Sequence, residues 1–319
     1  MIDQPPIRWG LVATIKANAT EILDFAAHHL EMGAHRLYLY LDAPCPKAWP
    51  HLKAHPKIRV TECDQRHWKR LNGRPAKHQV RQTKNASHAY AKAGDVDWLA
   101  HIDVDEFLWP ETSIAASLAA LPGDVQTGRM RPMELMVPDP ANPLPGQLFK
   151  ALPVPRDERR AATLKLYPHY AAHIDDGFLS HVAGKVFLRT GLEDVEFRIH
   201  NAFVDGQQNP GQVELPDIAL LHMHARGWED WSARFDYRHA KGAYRAELGR
   251  KGPSGLTLHQ FFSALLEQEG QPGLRAFYDR ICLATQDHCA ALSELGLLRD
   301  VDLDLADSRR KQFPAFTSD

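Results

Sequence analysis

The sequence predicts an α/β protein: a Rossmann-like, mostly parallel sheet flanked by helices, followed by an antiparallel portion and a helical C-terminal region. Three observations carry this. Residues 9–42 read as strand, helix, strand; short apolar runs suited to strands buried on both faces recur at 98–102 and 218–224; and apolar residues return at helical spacing from Gly227 onward. With 319 residues, 44% apolar and 24% charged, the chain can bury cores of this size and is not disordered as a whole.

Trp9 to Ile15 is the first strand. A helix starts near Thr20, carries Ile22, Ala26 and Leu30 on one stripe, and meets a terminator at Gly33. Arg36 to Leu41 is the next strand, ending at Asp42, and the unit implies a right-handed crossover between parallel strands. After prolines 44, 46 and 50 a weak strand spans Lys57 to Thr61, and a basic segment from Arg66 to Arg81 leads into a helix expected over Pro75 to Gly94. Trp98 to Ile102 is a buried strand that closes on Asp103-Val104-Asp105-Glu106.

Dense proline and glycine from Leu121 to Pro155 predict long connections and antiparallel strands. Gly184 to Thr190 alternates as a strand with Lys185, Phe187 and Arg189 on one face, and Ile218 to His224 is a further buried strand. Beyond Gly227, Trp228, Trp231 and Phe235 form the apolar face of a helix and Arg234, Arg238, Lys241 and Arg245 a basic one. The last ten or so residues read as a loose tail.

Lysine and arginine number 38 against 40 acids, a formal charge of -2, so nothing global draws the chain to nucleic acid or an anionic membrane. Phosphate binding would need a local site. The longest small-apolar stretch, Ser113 to Leu121, is far short of the ~20 residues of a membrane span, and the first ten residues lack the apolar core of a signal peptide. The expectation is a soluble, cytoplasmic protein with no transmembrane segment. Four scattered cysteines (Cys45, Cys63, Cys282, Cys289) are expected as reduced thiols. Eighteen histidines are unusual, and composition alone leaves metal binding, catalysis and drift open.

The strongest chemical signal is three acids in four residues directly after an apolar strand. Carboxylates this close repel, so something positive must sit among them, and a divalent cation answers that need. Ligands of open α/β sheets gather at the carboxyl ends of the strands, where residues 103–106 would lie, and Phe107-Leu108-Trp109 argues against a freely exposed turn.

The segment Trp98 to Leu108 resembles the metal-binding "hIDvDEFL" segment of family 2-like and family 92-like glycosyltransferases of the GT-A fold. Upstream, Lys16-Ala17-Asn18, then Phe25 to His29, Gly33-Ala34 and Leu39 to Asp42, is similar to the opening of that group. Its usual acid after the asparagine is replaced by Ala19, with Glu21 two residues on. Downstream, Gly184-Lys185 with Arg189, and His222 with Arg226, Glu229, Trp231 and Arg234, resemble its further signatures.

The resemblance implies transfer of a sugar from a nucleoside-diphosphate sugar to a glycan or other hydroxyl acceptor, in the setting of bacterial polysaccharide assembly. The Asp-x-Asp carboxylates would hold Mn²⁺ or Mg²⁺ on the donor diphosphate, a usual arrangement for these hard cations. Direct metal contact falls to Asp105, with Asp103 reaching the ribose or the ion through water and Glu106 supporting them. His222 is the third ligand considered, with His224 and His200 as rivals. Lys185, Arg189, Arg226 and Arg234 are expected on the diphosphate or donor sugar. Lys16, Asn18 and Asp42 are expected near the nucleotide, with Arg74, Lys77 and Gln79 lining the same pocket.

An inverting transfer needs a general base, for which the loop pair Asp175-Asp176 is chosen, Asp176 preferred, over Glu193 and Asp194. By this reading residues 1–110 form the nucleotide-sugar-binding half, 111–226 the acceptor half and 227–319 a helical region. Two alternatives stand beside it: a haloacid-dehalogenase-type phosphatase using Asp103 as nucleophile and Asp105 as acid, and a degenerate, non-catalytic glycan- or nucleotide-binding protein, to which Ala19 points.

Overall fold

The computed structural model describes residues 6–174, 176–249 and 251–317. In chain order it contains β1 (Trp9–Ile15), α1 (Ala19–Glu31), β2 (Arg36–Leu41), α2 (Trp49–Ala54), β3 (Ile58–Glu62), α3 (Gln65–Arg70), α4 (His78–Tyr90), β4 (Trp98–His101), β5 (Glu106–Pro110) and α5 (Ile114–Ala119). There follow β6 (Thr127–Leu135), β7 (Val137–Pro138), β8 (Leu148–Lys150), α6 (Arg156–Leu166), β9 (Lys185–Arg189), β10 (Val195–Phe197), β11 (Ala202–Val204), β12 (Gln207–Gln208) and β13 (Gln212–His222). The chain ends with α7 (Trp228–Ala240), α8 (Leu258–Cys282), β14 (Leu283–Ala284), α9 (Gln286–Glu294), β15 (Leu298–Asp300) and α10 (Leu305–Gln312).

These elements form two compact units, and the chain passes between them repeatedly. The first takes residues up to 131, 183–220 and from 304 on; the second takes 132–182 and 221–303. The expected breaks at 110 and 226 follow the chain in order, whereas the units do not.

In the first unit β4, β1, β2 and β3 are parallel neighbours in that order, with Leu11 opposite Leu37 and Trp9 opposite Trp98. All seven residues of β1 are buried, as its uninterrupted apolar run requires of a central strand. Past β4 the sheet turns antiparallel: β9 pairs β4 with Trp98 opposite Arg189, and β6 pairs β9. The α/β expectation, with a parallel portion and an antiparallel continuation, holds.

Helix α1 starts at Asn18, whose side chain accepts from Glu21 N at 3.0 Å while Glu21 reaches back to Asn18 N, a capping box. Its buried face carries two histidines. His28 Nε2 donates to Leu108 O at 2.7 Å, and Leu108 N donates to His29 Nε2 at 3.2 Å, tying α1 to β5. Part of the histidine excess is therefore structural. The tail expected to be loose instead forms α10, which packs on α1 through Arg309 with Asp24 and Gln312 with Glu31, and buries Phe313. The expected helix over 75–94 is α4 alone, preceded by the short α3, which Asp64 caps.

In the second unit the end of β6 pairs β8, with Glu134 opposite Lys150, and β15 pairs the other side of β8. The helices enclose an aromatic core of Trp231, Phe235, Tyr244, Phe262, Phe277 and Tyr278, all nearly inaccessible. Trp231 and Phe235 are the apolar stripe read from the sequence of α7. The four cysteines are unpaired, and among the described residues no helix is long and apolar enough to cross a membrane.

Candidate functional site

The strand order reverses between β1 and β4: the chain builds outward through β2 and β3, then returns to the other flank of β1. Open α/β sheets bind ligands in the crevice at such a switch point, beyond the carboxyl ends of the strands. Lys16, exposed, follows β1 there, and Asn18 serves as the cap of α1. After β4 the chain makes a turn in which Glu106 N donates to Asp103 O at 3.1 Å, with Val104 and Asp105 at its centre. Asp103 N in turn donates to Glu106 Oε2 at 2.8 Å. Asp105 is half-buried.

The positive group demanded by this acidic turn comes from the chain itself. Lys185, with its side chain 1% exposed, places Nζ 2.6 Å from Asp103 Oδ2 and 3.0 Å from Glu106 Oε2. Gln82 Nε2 donates to the other oxygen of Asp103 at 2.6 Å. Burial alone would push the Asp103 carboxyl up, but the Lys185 ammonium outweighs it and holds the carboxyl well below its usual range. Burial would likewise lower Lys185, and the two carboxylates raise it instead. Gly184 explains why a glycine precedes this lysine. Its φ is +70°, and a Cβ there would lie 1.9 Å from Met130 O. His200 donates Nδ1–H to Gly184 O at 3.0 Å and lies close enough to Asp103 to influence its charge.

A second cluster surrounds Asp42 at the end of β2. Its side chain, 1% exposed, accepts from Arg74 Nη2 and Arg81 Nε, each at 2.9 Å, and lies 3.8 Å from His78 Nδ1. Arg81 also donates to the carbonyls of Pro75 and Ala76, clamping the approach to α4. Burial lowers the His78 pKa, while Asp103 and Asp42 oppose that shift and Lys16 adds to it. His78 thus lies within electrostatic reach of both clusters, which form one site in the first unit. Sequence reading missed its contributors on α4. His78, Gln82 and Asn85 recur at helical spacing, and polar residues along a packed stripe were the available signal. Gln79 and Lys77 are exposed, and it is Gln82, one turn on, that meets Asp103.

Arg189 lies away from this cluster. Arg189 shares a sheet face with Lys185 but stands at the opposite end of β9, roughly 13 Å away at ~3.3 Å per residue. There its guanidinium covers the Trp98 ring at 4.4 Å and donates to Val125 O and Pro122 O. His222, His224, Arg226, Arg234 and Asp176 belong to the second unit. The rings of His222 and His224 are 5.2 Å apart, and His224 Nε2 is 3.3 Å from Tyr244 Oη. Arg226 is exposed, and Arg234 pairs with Asp230 at 2.6 Å along α7. Asp176 is buried and accepts from Arg159 Nε at 2.8 Å. Asp175 lies outside the described residues.

Among the described residues no three His, Cys, Asp or Glu side chains form a group that could hold a metal ion. The donor chemistry fits a more open arrangement. Hard divalent cations are commonly held by one or two carboxylates plus substrate phosphates, and Asp105 can supply such an oxygen. Asp103, with Gln82 on one oxygen and Lys185 on the other, is arranged to fix the turn.

No family model and no curated protein matches this chain. Among solved structures it is similar to a galactosyltransferase, LgtC, crystallised with donor and acceptor sugar analogues (14% identity, 56% of this chain and 57% of that one, TM-score 0.26). It is also similar to GalNAc-T7 with UDP, GalNAc and Mn²⁺ (10% identity, 92% and 57%, TM-score 0.40) and to HddC from Yersinia pseudotuberculosis (10%, 72% and 99%, TM-score 0.36). The chain spans just over half the length of LgtC and about a third of the bifunctional glycosyltransferase WbbM. Likenesses this distant carry no argument about the site.

Proposed function

We propose that this chain is a metal-dependent glycosyltransferase that moves a sugar from a nucleoside-diphosphate sugar to a glycan or other hydroxyl acceptor, with inversion. The observation that carries the reading is the acidic turn 103–106 at the β1/β4 switch point, organised by Lys185 and Gln82 and flanked by Lys16, His78 and the Asp42–Arg74–Arg81 group. The motif resemblance supports it independently.

In this reading Asp42 holds Arg74 and Arg81 in place, and the half-exposed Arg74 guanidinium, with Lys16, meets the nucleotide's anionic or ribose oxygens. Lys185, enclosed by Asp103 and Glu106, keeps the turn in shape so that Asp105 faces the diphosphate. A divalent ion on Asp105 would neutralise charge on the departing nucleoside diphosphate; the motif resemblance names His222 as a further ligand. Arg226 and Arg234 remain proposed donor contacts. Asp176, oriented by Arg159, is the proposed base that takes the acceptor hydroxyl proton, with Asp175 the alternative. The phosphatase alternative is disfavoured, because its nucleophile would be Asp103, whose two oxygens are held by Gln82 and Lys185. Ala19 loses its force as a sign of degeneracy, since Asn18 and Glu21 are accounted for as a helix cap.

Incubation with a panel of uridine, guanosine, cytidine and thymidine diphosphate sugars, with Mn²⁺ or Mg²⁺, tests the reading by release of free nucleoside diphosphate. Release from one donor, abolished by chelator, is expected. No release from any donor under either ion contradicts it.

A further inference from the structure

We propose that a cavity of about 310 Å³ in the second unit, lined among others by Ile174, Asp176, Phe178, Tyr244, Leu248 and Leu258, binds an alkyl or aryl glycoside, with a sugar hydroxyl donating to Asp176. As a binding site this stands on the cavity alone; as the acceptor site of the transferase it rests on the function proposed above.

The walls state the chemistry. Ile174, Phe178, Leu179, Val182, Leu248 and Leu258 give an apolar surface, and the buried Asp176 adds a carboxylate to the same lining. At ~30 Å³ per water the volume equals about ten waters, the lower end for small-molecule pockets and room for one ring and a short apolar group. A carboxylate set in an apolar wall suits a ligand that brings hydroxyl donors, and Arg245, His173, His181 and His259 in the same lining supply further polar partners for a sugar ring. Leu248, 47% exposed at the rim, offers apolar surface beyond the enclosed volume.

The lining is also built to keep its shape. Lys150, 1% exposed, donates to Gly177 O at 3.0 Å and pairs with Glu134 Oε2 at 3.1 Å. Glu134 accepts from Leu179 N at 3.2 Å and Ser180 N at 2.7 Å. Tyr244, itself a lining residue, donates to Leu179 O at 3.4 Å. Gly177 has φ +72°, and a Cβ there would lie 3.0 Å from a Tyr167 ring carbon. A buried ion pair is weak evidence for stability. Here both of its members bond to the backbone of one loop, the loop that carries Asp176 and four of the six apolar wall residues.

The test is calorimetric titration of the full chain, without nucleotide, with n-octyl β-D-glucopyranoside below its micelle concentration, and with D-glucose. The glucoside is expected to bind saturably at one site, at least about tenfold more tightly than glucose, which lacks the apolar group. Leu248→Glu, a change at the exposed rim, should weaken it at least about tenfold with the melting temperature unchanged, and Asp176→Asn should weaken it by as much while also lowering the melting temperature, because it loosens the contact with Arg159. No glucoside binding, or binding that both variants leave intact, overturns the proposal. Nucleoside diphosphate release reports separately on the transferase reading. Its absence with the glucoside behaviour intact removes the acceptor role and leaves the site, whereas intact donor turnover without glucoside binding removes the site alone.

Discussion

The Lys185 ammonium lies 2.6 Å from Asp103 and belongs to a side chain with 1% exposure, so one buried cation closes the acidic turn that follows β4. The same ammonium lies 3.0 Å from Glu106, so the two acids are tied to one strand, β9.

Removing the lysine should be costly to the fold itself. Lys185→Met leaves two carboxylates uncompensated, and a loss of about 3–5 kcal/mol is expected for breaking one side of a buried pair. Urea denaturation checks this. Adding Asp103→Asn and Glu106→Gln to the same chain should recover part of the loss, and a Lys185→Met midpoint equal to wild type would remove the ion pair from the account.

The two aspartates should separate in function. Asp105→Asn is expected to lower metal-dependent nucleoside diphosphate release by about 100-fold or more, on the scale of losing one charge-stabilising group, with a smaller change in melting temperature than Asp103→Asn. Asp103→Asn should lower both the rate and the melting temperature, because it also weakens the contact with Lys185. Identical thermal profiles for the two variants would contradict this division.

Arg189 should prove structural. Arg189→Ala removes the cover over Trp98 and two carbonyl contacts, with an expected loss of about 1–3 kcal/mol, while the donor KM stays within about twofold. A donor KM raised about tenfold, with stability intact, would return Arg189 to the donor site.

Stability should fall on mild acidification. Burial lowers His28 from 6.5 to about 4, and His101 and His288 to about 3. The unfolded chain takes up these protons first, so the stability tied to neutral histidine is complete above about pH 6.5 and is lost as pH falls towards the folded values. Each group contributes about 1.4 kcal/mol per pH unit across its window. Urea midpoints at pH 7.5 and 5.5 measure the trend, and equal midpoints would contradict it.

Which features the sequence made legible follows from range. Strands β1, β2 and β4 were readable because each is a short apolar run between clear breakers, β9 because its residues alternate, and α7 because Trp231 and Phe235 mark its buried stripe. The demand for a positive charge beside residues 103–106 was also readable. Its answer was not, because Lys185 is 82 positions away and only the pairing of β9 with β4 brings it there. Alternation placed Lys185 and Arg189 on one face, but the register puts them at opposite ends of the strand. Gln79 was expected in the pocket and Gln82 was passed over, because a polar helix start does not show in sequence which side packs. The histidines read as a chemical excess until His28 and His29 met the backbone of Leu108.

The proposed function requires the turn at the β1/β4 switch point to hold a metal-bound nucleoside diphosphate. Thermal melting of wild type and Asp105→Asn with Mn²⁺ and each of the uridine, guanosine, cytidine and thymidine diphosphates tests it most directly. The account expects one nucleotide to raise the wild-type melting temperature only when Mn²⁺ is present, since a ligand at about 100 times its Kd stabilises by about 2.7 kcal/mol, and expects that rise to vanish in Asp105→Asn. No shift with any nucleotide, or an equal shift in the variant, would contradict it.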